Sequence, residues 1–371
     1  MSLNLKRRLT NWWLTAVYDL NKTSYWLYLF YPIHLIIRYI VGHRLKKQAK
    51  YYSPILNYTP VWIVGNLTIG GTGKTPSIIA IANLLTQHGI KVAVVSRGYG
   101  SATKHNPHLV TATDLAIEVG DEAKLMQQAG LTICIGSNRL STAKLLLQQT
   151  KCDLILSDDG LQHYALPRTL EIVLLDRQKL FGNEKILPLG PLREPIKRLA
   201  EADSILINYK FNQVKTNDRY HSPYNKPQFN IHFTSLYVCN LKSGNKMQLS
   251  QWINAYKNGS IHLIAAIADP TSFFNILDKC NLTYTPHIFI DHHQYTYKDF
   301  IDFTATDILL MTQKDAVKCH NLDIQPETWY LAIEVQLPQD LCMWLKQQAR
   351  KQIQQKYLLL KQQNRTNKSH S

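Results

Sequence analysis

From residue 51 onward, short runs of β-branched and aliphatic residues alternate with stretches of helical spacing. Val61 to Val64, Lys91 to Ser96, Thr132 to Ile135, Leu154 to Ser157, Glu171 to Leu175 and Ser204 to Ile207 read as buried strands. Between them, Pro76 to Gln87, Glu122 to Ala129 and Ser141 to Gln149 read as helices. Such alternation predicts an α/β fold with a doubly wound, mostly parallel sheet. Residues 212–227 break the pattern with Asn, Lys, Tyr, His and Pro in no clear period, which predicts a boundary near residue 210. Beyond it, Phe229 to Phe233, His262 to Ile267, His287 to Ile290, Ile308 to Met311 and Trp329 to Val335 predict a second, smaller α/β domain. The expected organisation is a terminal segment over 1–50, a core over 51–210, a smaller domain over 211–340 and a basic helical tail over 341–371.

Charge changes the reading of the two ends. Lys plus Arg number 42 against 26 for Asp plus Glu, a formal net charge of +16. Residues 1–50 carry nine basic side chains and only Asp19 as an acid, and residues 341–371 carry seven basic ones and no acid. The 290 residues between are close to neutral, at +1. A body of that kind is not built to lie along nucleic acid, whereas two basic ends suit an anionic membrane surface. Thr23 to Ile37 adds fifteen residues without a charge, rich in Trp, Tyr, Leu and Ile, before Arg38 interrupts. A full span needs roughly 20 apolar residues, so a membrane-anchoring helix lying in the interface is expected. A single span over residues 23–42 and a buried amphipathic helix stay as alternatives. The tail from Leu341 to Leu360 has helical spacing and reads equally as a solvated helix or a membrane-contacting one. The six cysteines are scattered with no CxxC pair, as expected of reduced core residues in a cytoplasmic protein rather than a zinc site.

The candidate chemistry starts at Gly65-Asn-Leu-Thr-Ile-Gly-Gly-Thr-Gly-Lys-Thr-Pro76, between a predicted strand and a predicted helix. Glycines let backbone N–H groups approach phosphate, and a helix N-terminus favours negative charge. Gly70, Gly71, Thr72 and Gly73 would cradle the phosphates, Lys74 would reach the outer ones, and the Thr75 hydroxyl would sit on Mg²⁺. The strict pattern has glycine where this chain has Thr68. Downstream, Asp153-Leu-Ile-Leu-Ser-Asp-Asp159 is an apolar strand ending in paired carboxylates. Asp158 and Asp159 there are placed to hold Mg²⁺, the alternative being that they cap the turn at Gly160. No N-K-x-D pattern for reading a guanine base is present, and Ile69 stands where partition ATPases carry a lysine.

Beside these, SRGYG (Ser96 to Gly100), VGDE (Val119 to Glu122), SDDGLQH (Ser157 to His163), GPLRE (Gly190 to Glu194), DHH (Asp291 to His293) and TQKDAVK (Thr312 to Lys318) occur in order. With the glycine loop, the series resembles the tetraacyldisaccharide 4′-kinase family, the lipid A 4′-kinases of Gram-negative bacteria. The resemblance implies a P-loop NTPase-like fold and transfer of the γ-phosphate of Mg·ATP to the 4′-hydroxyl of tetraacyldisaccharide 1-phosphate. It implies work at the cytoplasmic face of the inner membrane, with no nucleic acid and no obligate protein partner. By the same resemblance Asp121 is a general base oriented by His292, and Glu122 is a further metal-side carboxylate. Arg139 and Arg193 would balance phosphate charge, with Glu194 nearby. From the residues alone, Asp121 reads first as the cap of a helix beginning near Glu122, and the arginines read as well as surface charges. Two departures stand out: Gln313 replaces the usual glutamate, and Ala265 to Pro270 is poorer in glycine than the family's turn. The competing class is a membrane-bound switch or partition-type ATPase, which has no use for a base at Asp121.

Overall fold

The computed structural model describes residues 12–18, 25–45, 50–102, 106–210, 222–267 and 269–368. Most of the polar stretch after residue 210, Asp19, and the basic residues Lys6, Arg7, Arg8, Lys22, Lys46 and Lys47 lie outside them. The strands are β1 (Val61–Gly65), β2 (Val92–Ser96), β3 (His108–Leu109), β4 (Thr132–Ile135), β5 (Leu154–Asp158), β6 (Leu170–Asp176), β7 (Ser204–Lys210), β8 (Gln228–Asn240), β9 (Lys246–Gln248), β10 (Ile261–Ala265), β11 (Thr285–Ile288), β12 (Ile308–Thr312) and β13 (Glu327–Gln336). The principal helices are α1 (Tyr31–Leu45), α2 (Lys74–Gln87), α3 (Asp121–Gln128), α4 (Arg139–Gln149), α5 (Leu249–Tyr256), α6 (Thr271–Asp278), α7 (Gln313–Cys319) and α8 (Gln339–Lys368).

All the strands join one sheet, in the order β11-β10-β12-β13-β8-β7-β6-β1-β5-β2-β4-β3, with β9 added to β8. Central strands such as β1 and β5 are buried at every position, because helices cover both faces. Alternation along β1 divides the core. Trp62 and Val64 pack with Ile78, Ile81 and Leu85 of α2 on one face, while Val61 and Ile63 pack with Ala143 and Leu146 of α4 on the other. The two α/β units expected on either side of residue 210 therefore share a sheet. The first block is parallel from β8 to β4, and the second is parallel from β11 to β13. They meet where β13 runs antiparallel to β8, with a register shift between Ala332 and Glu334. Strand β8 belongs to both blocks: Gln228 to Phe233 pairs with β7, and His232 to Asn240 pairs with β13.

The ends depart from the sequence reading. Among the described residues no helix is long and apolar enough to cross a membrane. Helix α1 has 15 residues, about 22 Å at 1.5 Å per residue, against a hydrocarbon core of roughly 30 Å, so the single-span alternative falls. It is tied to the body by His34, whose Nδ1 lies 3.0 Å from the Ile186 carbonyl oxygen. Tyr25, Trp26, Leu29, Ile36 and Tyr39 remain exposed around this attachment. The tail reading is corrected over its first half: Leu341, Leu345 and Ala349 of α8 are buried in the core beside α2. Gln352 bonds Trp62 and Thr169 at the start of the sheet. Truncating Leu345 to Ala should cost about 2–5 kcal/mol in chemical denaturation, as for a core leucine; a change within about 0.5 kcal/mol would mean a solvated helix instead.

Candidate active site

The carboxyl ends of β1, β2 and β5 lie side by side, since Val64 pairs with Asp158 and Val95 with Ser157. Ligands of open α/β sheets bind at this edge. The loop after β1 turns through Gly73, whose φ of 86° is left-handed and whose Cβ, were there one, would strike Phe233 and Asn208. That frees α2 to begin at Lys74 with its first N–H groups facing the cleft. Lys74 Nζ is 3.0 Å from Asn66 Oδ1 and 3.6 Å from Asp159 Oδ1. The loop is also braced from outside: Arg193 N donates to Leu67 O (2.7 Å), Ile69 N to Pro191 O (2.9 Å) and Tyr18 Oη to Ile69 O (2.9 Å). Burial raises the Tyr18 hydroxyl to about 12, so it is a fixed donor at neutral pH.

Asp158 and Asp159 end β5 in different environments. Asp158 Oδ2 accepts from Ser96 Oγ at 3.0 Å, while its buried Oδ1 has no hydrogen-bond partner among the described residues. Burial, then the nearby charges of Glu122 and Asp159, push its carboxyl up to about 6. Asp159 takes a left-handed φ of 49° and accepts from Arg193 Nη1 at 2.8 and 2.7 Å. Although burial opposes it, the charges of Lys74 and Arg193 hold Asp159 below the usual carboxylate range. Glu122 is paired with Lys314 of α7, and it too titrates low against the pull of burial. Arg139, at the start of α4, donates to the Gly136 and Asp158 carbonyls from a buried position. Burial brings its guanidinium down to about 10, where it is still charged at neutral pH.

Across the cleft, Gly120 has a φ of 93°, and a Cβ there would sit 2.5 Å from the Tyr99 carbonyl oxygen. That close approach sets Asp121 as the first residue of α3, with Gly120 as N-cap. The capping alternative for Asp121 is corrected, since its carboxylate turns to His292: Oδ2 lies 2.9 Å from His292 Nδ1. Lys318 Nζ, itself buried, lies 3.9 Å behind Asp121 and 2.8 Å from Asp315 Oδ1. His292 has a left-handed φ of 61° and its ring stands 5.3 Å from that of Tyr99. Two non-glycine residues in this rare region, facing one cleft, mark a strained functional centre.

A cavity of about 1330 Å³ joins these walls. Gly70 to Thr75, Glu122, Arg139, Asp158, Asp159, Arg193 and His292 all line it, as do Arg97, Tyr99, Gln162, His163 and Lys314. Asp121 stands behind His292 rather than on the cavity wall. Glu194 is elsewhere: it contacts the Tyr164 hydroxyl and lies 3.5 Å from Arg198, inside a buried network with Glu171 and Arg168. Its neighbour Arg193 reaches the cleft, so adjacent residues of GPLRE serve different surroundings. Among the described residues no three His, Cys, Asp or Glu side chains converge as a metal cage. Such a cage is not what Mg²⁺ with a nucleotide requires, since phosphates and water supply most of its ligands.

The sequence matches the profile of the tetraacyldisaccharide-1-P 4′-kinase family over residues 26–350. The tetraacyldisaccharide 4′-kinase of Colwellia psychrerythraea is 40% identical over 74% of this chain and 78% of its own length. That of Alcanivorax borkumensis is 37% identical over 86% and 92%. The chain belongs to the tetraacyldisaccharide 4′-kinase family. Its fold also matches the crystal structure of LpxK from Aquifex aeolicus in complex with ATP, with a TM-score of 0.71 and 25% identity over 88% of this chain and 99% of that one.

Within that family frame, the departures can be located. Gln313 lines the cavity and its Oε1 accepts from Ile333 N at 3.4 Å, a contact an amide makes as well as a carboxylate. Ala266 N donates to Asp315 Oδ2 at 3.1 Å, and Ala268 lies outside the described residues. Lys314 and Lys318 had no role in the motif reading, although their i, i+4 spacing on a short helix puts both on one face toward VGDE. The bond to Asp121 raises His292 above its ordinary value of 6.5. Stability from this pair is therefore fully present below about pH 6.5 and fades as pH rises through the raised value. Asp121→Asn should return the imidazole toward its ordinary value in an NMR titration; an unchanged titration would contradict the pairing.

Proposed function

We propose that this chain transfers the γ-phosphate of ATP to the 4′-hydroxyl of tetraacyldisaccharide 1-phosphate, forming lipid IVA in lipid A biosynthesis. Family membership supports the substrate. The observation that carries the chemistry is the Asp121–His292 pair facing a phosphate loop across one cavity. Backbone N–H groups of Gly70 to Thr75 and the Lys74 ammonium would hold the phosphates, with Arg193 and Arg139 balancing their charge. Asp158, with its open Oδ1, and Thr75 fit Mg²⁺, while Asp159 and Glu122 complete the acidic wall. Held by Asp158 and Thr75, a magnesium ion would supply charge neutralisation at the phosphates.

The attacking hydroxyl must lose a proton, and the Asp121–His292 pair takes it. Asp121 fixes the ring through Nδ1, which leaves Nε2, 3.8 Å from Asp291 Oδ2, as the other ring nitrogen able to carry a proton. The proton thus resides on the pair rather than on either group alone. Lys318 Nζ stands 3.9 Å from Asp121 Oδ2, a cation beside the carboxylate.

The acyl chains of such a substrate reside in a bilayer, so the sugar head must be met at its surface. The exposed Tyr25, Trp26, Leu29 and Tyr39 support an in-plane contact of α1 and the preceding turn with the cytoplasmic face of the inner membrane.

Labelled γ-phosphate transfer to tetraacyldisaccharide 1-phosphate in detergent micelles is the direct test. The intact chain should label the lipid, and Asp121→Asn or His292→Asn should lower the rate about 10²–10⁴-fold with little change in ATP binding. ATP turnover without labelled lipid, indifferent to both substitutions, would instead establish a switch-type ATPase.

A further inference from the structure

Helix α8 runs on well beyond its last core contact. Its packed side is drawn by Leu341, Leu345, Ala349 and Gln352, and Lys356 still reaches the Cys152 carbonyl at 3.3 Å. Every residue from 361 to 367 is exposed. Isolated helices of this length are marginal in water, and no carboxylate from Leu341 onward supports this one by i, i+4 pairing. The side opposite the packed one carries a regular stripe. Met343, Arg350, Tyr357, Lys361 and Arg365 follow at steps of seven, seven, four and four, all exposed, with Leu358 beside Tyr357. Apolar and aromatic tips thus alternate with cations along one line. The family profile matches this chain only as far as residue 350, before most of the projecting half.

Charge and exposure limit what fits there. A polynucleotide would be met by a body that is basic as a whole, yet the charge of residues 51–340 is nearly balanced. Tyr357 and Leu358, 52% and 60% exposed between the cations, need a surface that is apolar just beneath its charge. Where α8 leaves the body, Tyr52 Oη donates to Gln352 O at 3.4 Å, and the neighbouring Tyr51 and Ile55 are themselves exposed.

We propose that residues 350–367 of α8 are a docking surface for an anionic phospholipid bilayer. Arg350, Lys361 and Arg365 meet lipid phosphates while Tyr357 and Leu358 sit at headgroup depth. This deepens the membrane reading of α1 and rests on it only for which surface the enzyme approaches; it adds a second, electrostatic contact.

Co-sedimentation of the full chain with vesicles tests it, using phosphatidylcholine alone and phosphatidylcholine with about one-third phosphatidylglycerol. Binding should require the anionic lipid and weaken with salt. Lys361→Glu with Arg365→Glu should reduce it roughly tenfold or more, and Tyr357→Ser with Leu358→Ser should reduce it as well. Both variants should keep the wild-type circular dichroism and the wild-type phosphate transfer in micelles, since neither touches the cavity. Unchanged vesicle binding by the charge-reversed variant overturns the proposal. So does loss of single-stranded DNA binding in that variant without loss of vesicle binding, which would make the stripe a nucleic-acid contact. Loss of micellar transfer in the intact chain would instead sink the kinase reading and leave the docking result standing.

Discussion

Glu122, Asp158 and Asp159 are three carboxylates crowded into one wall of a buried cleft, and their mutual repulsion is the constraint around which the centre is arranged. Low dielectric magnifies that repulsion, so each acid must be answered by a cation or give up its charge. Lys74 from α2, Arg193 from the segment after β6 and Lys314 from α7 supply the answer from three separate parts of the chain. The answer is uneven. Asp159 and Glu122 have close partners and stay ionised, whereas the Asp158 carboxyl bonds the Ser96 hydroxyl, the charges of Lys74 and Arg139 do not offset its burial, and it rises to about 6. The acid left short of a cation is also the one whose Oδ1 has no hydrogen-bond partner among the described residues.

Meeting that constraint needs the second block of the sheet. Lys314 and Lys318 lie on α7, directly after β12, and His292 lies in the segment after β11. They reach α3 because β8 is long enough to pair with β7 and β13 at once, which fixes the two blocks against each other. Behind the cleft, Asp315 accepts from Ala266 N and Thr312 Oγ1, holds Lys318, and so sets the cation that faces Asp121. A buried lysine between two buried acids costs desolvation, and removing it would leave Asp121 and Asp315 buried without that cation.

The parts legible in the sequence were those governed by local pattern. Buried strands announce themselves as apolar runs, and the glycine-rich stretch at 65–73 marks a turn between strand and helix, so β1 and α2 flank it as expected. Short helices such as α5 and α6, eight residues each, have too few turns for their period to stand out. The packing of α8 was hidden because its apolar residues lie on more than one side, Leu341, Leu345 and Ala349 buried but Met343, Tyr357 and Leu358 exposed. Glu194 shows the limit most plainly. Its fate is decided by Arg198 one turn later and by Glu171 across the fold, and no motif containing Glu194 carries information about Glu171.

The N-terminal segment illustrates the same limit from the other side, since its composition suggested a membrane contact and nothing more. Residues 12–18 are helical and packed on the segment that carries Arg193. Trp13 Nε1 donates to Pro188 O at 2.8 Å, Val17 O accepts from Asn183 N at 2.9 Å, and Tyr18 Oη grips the Ile69 carbonyl. That segment is in turn bonded to the phosphate loop through Leu67, Ile69 and the bridge between Thr68 and Leu192. Three layers are thus stacked in order: N-terminal helix, Arg193 segment, phosphate loop. Thr68, where the strict loop pattern has glycine, lies in the innermost of them, buried and bridged. A glycine there would supply freedom that this loop does not need, because its path is already set by the layers outside it.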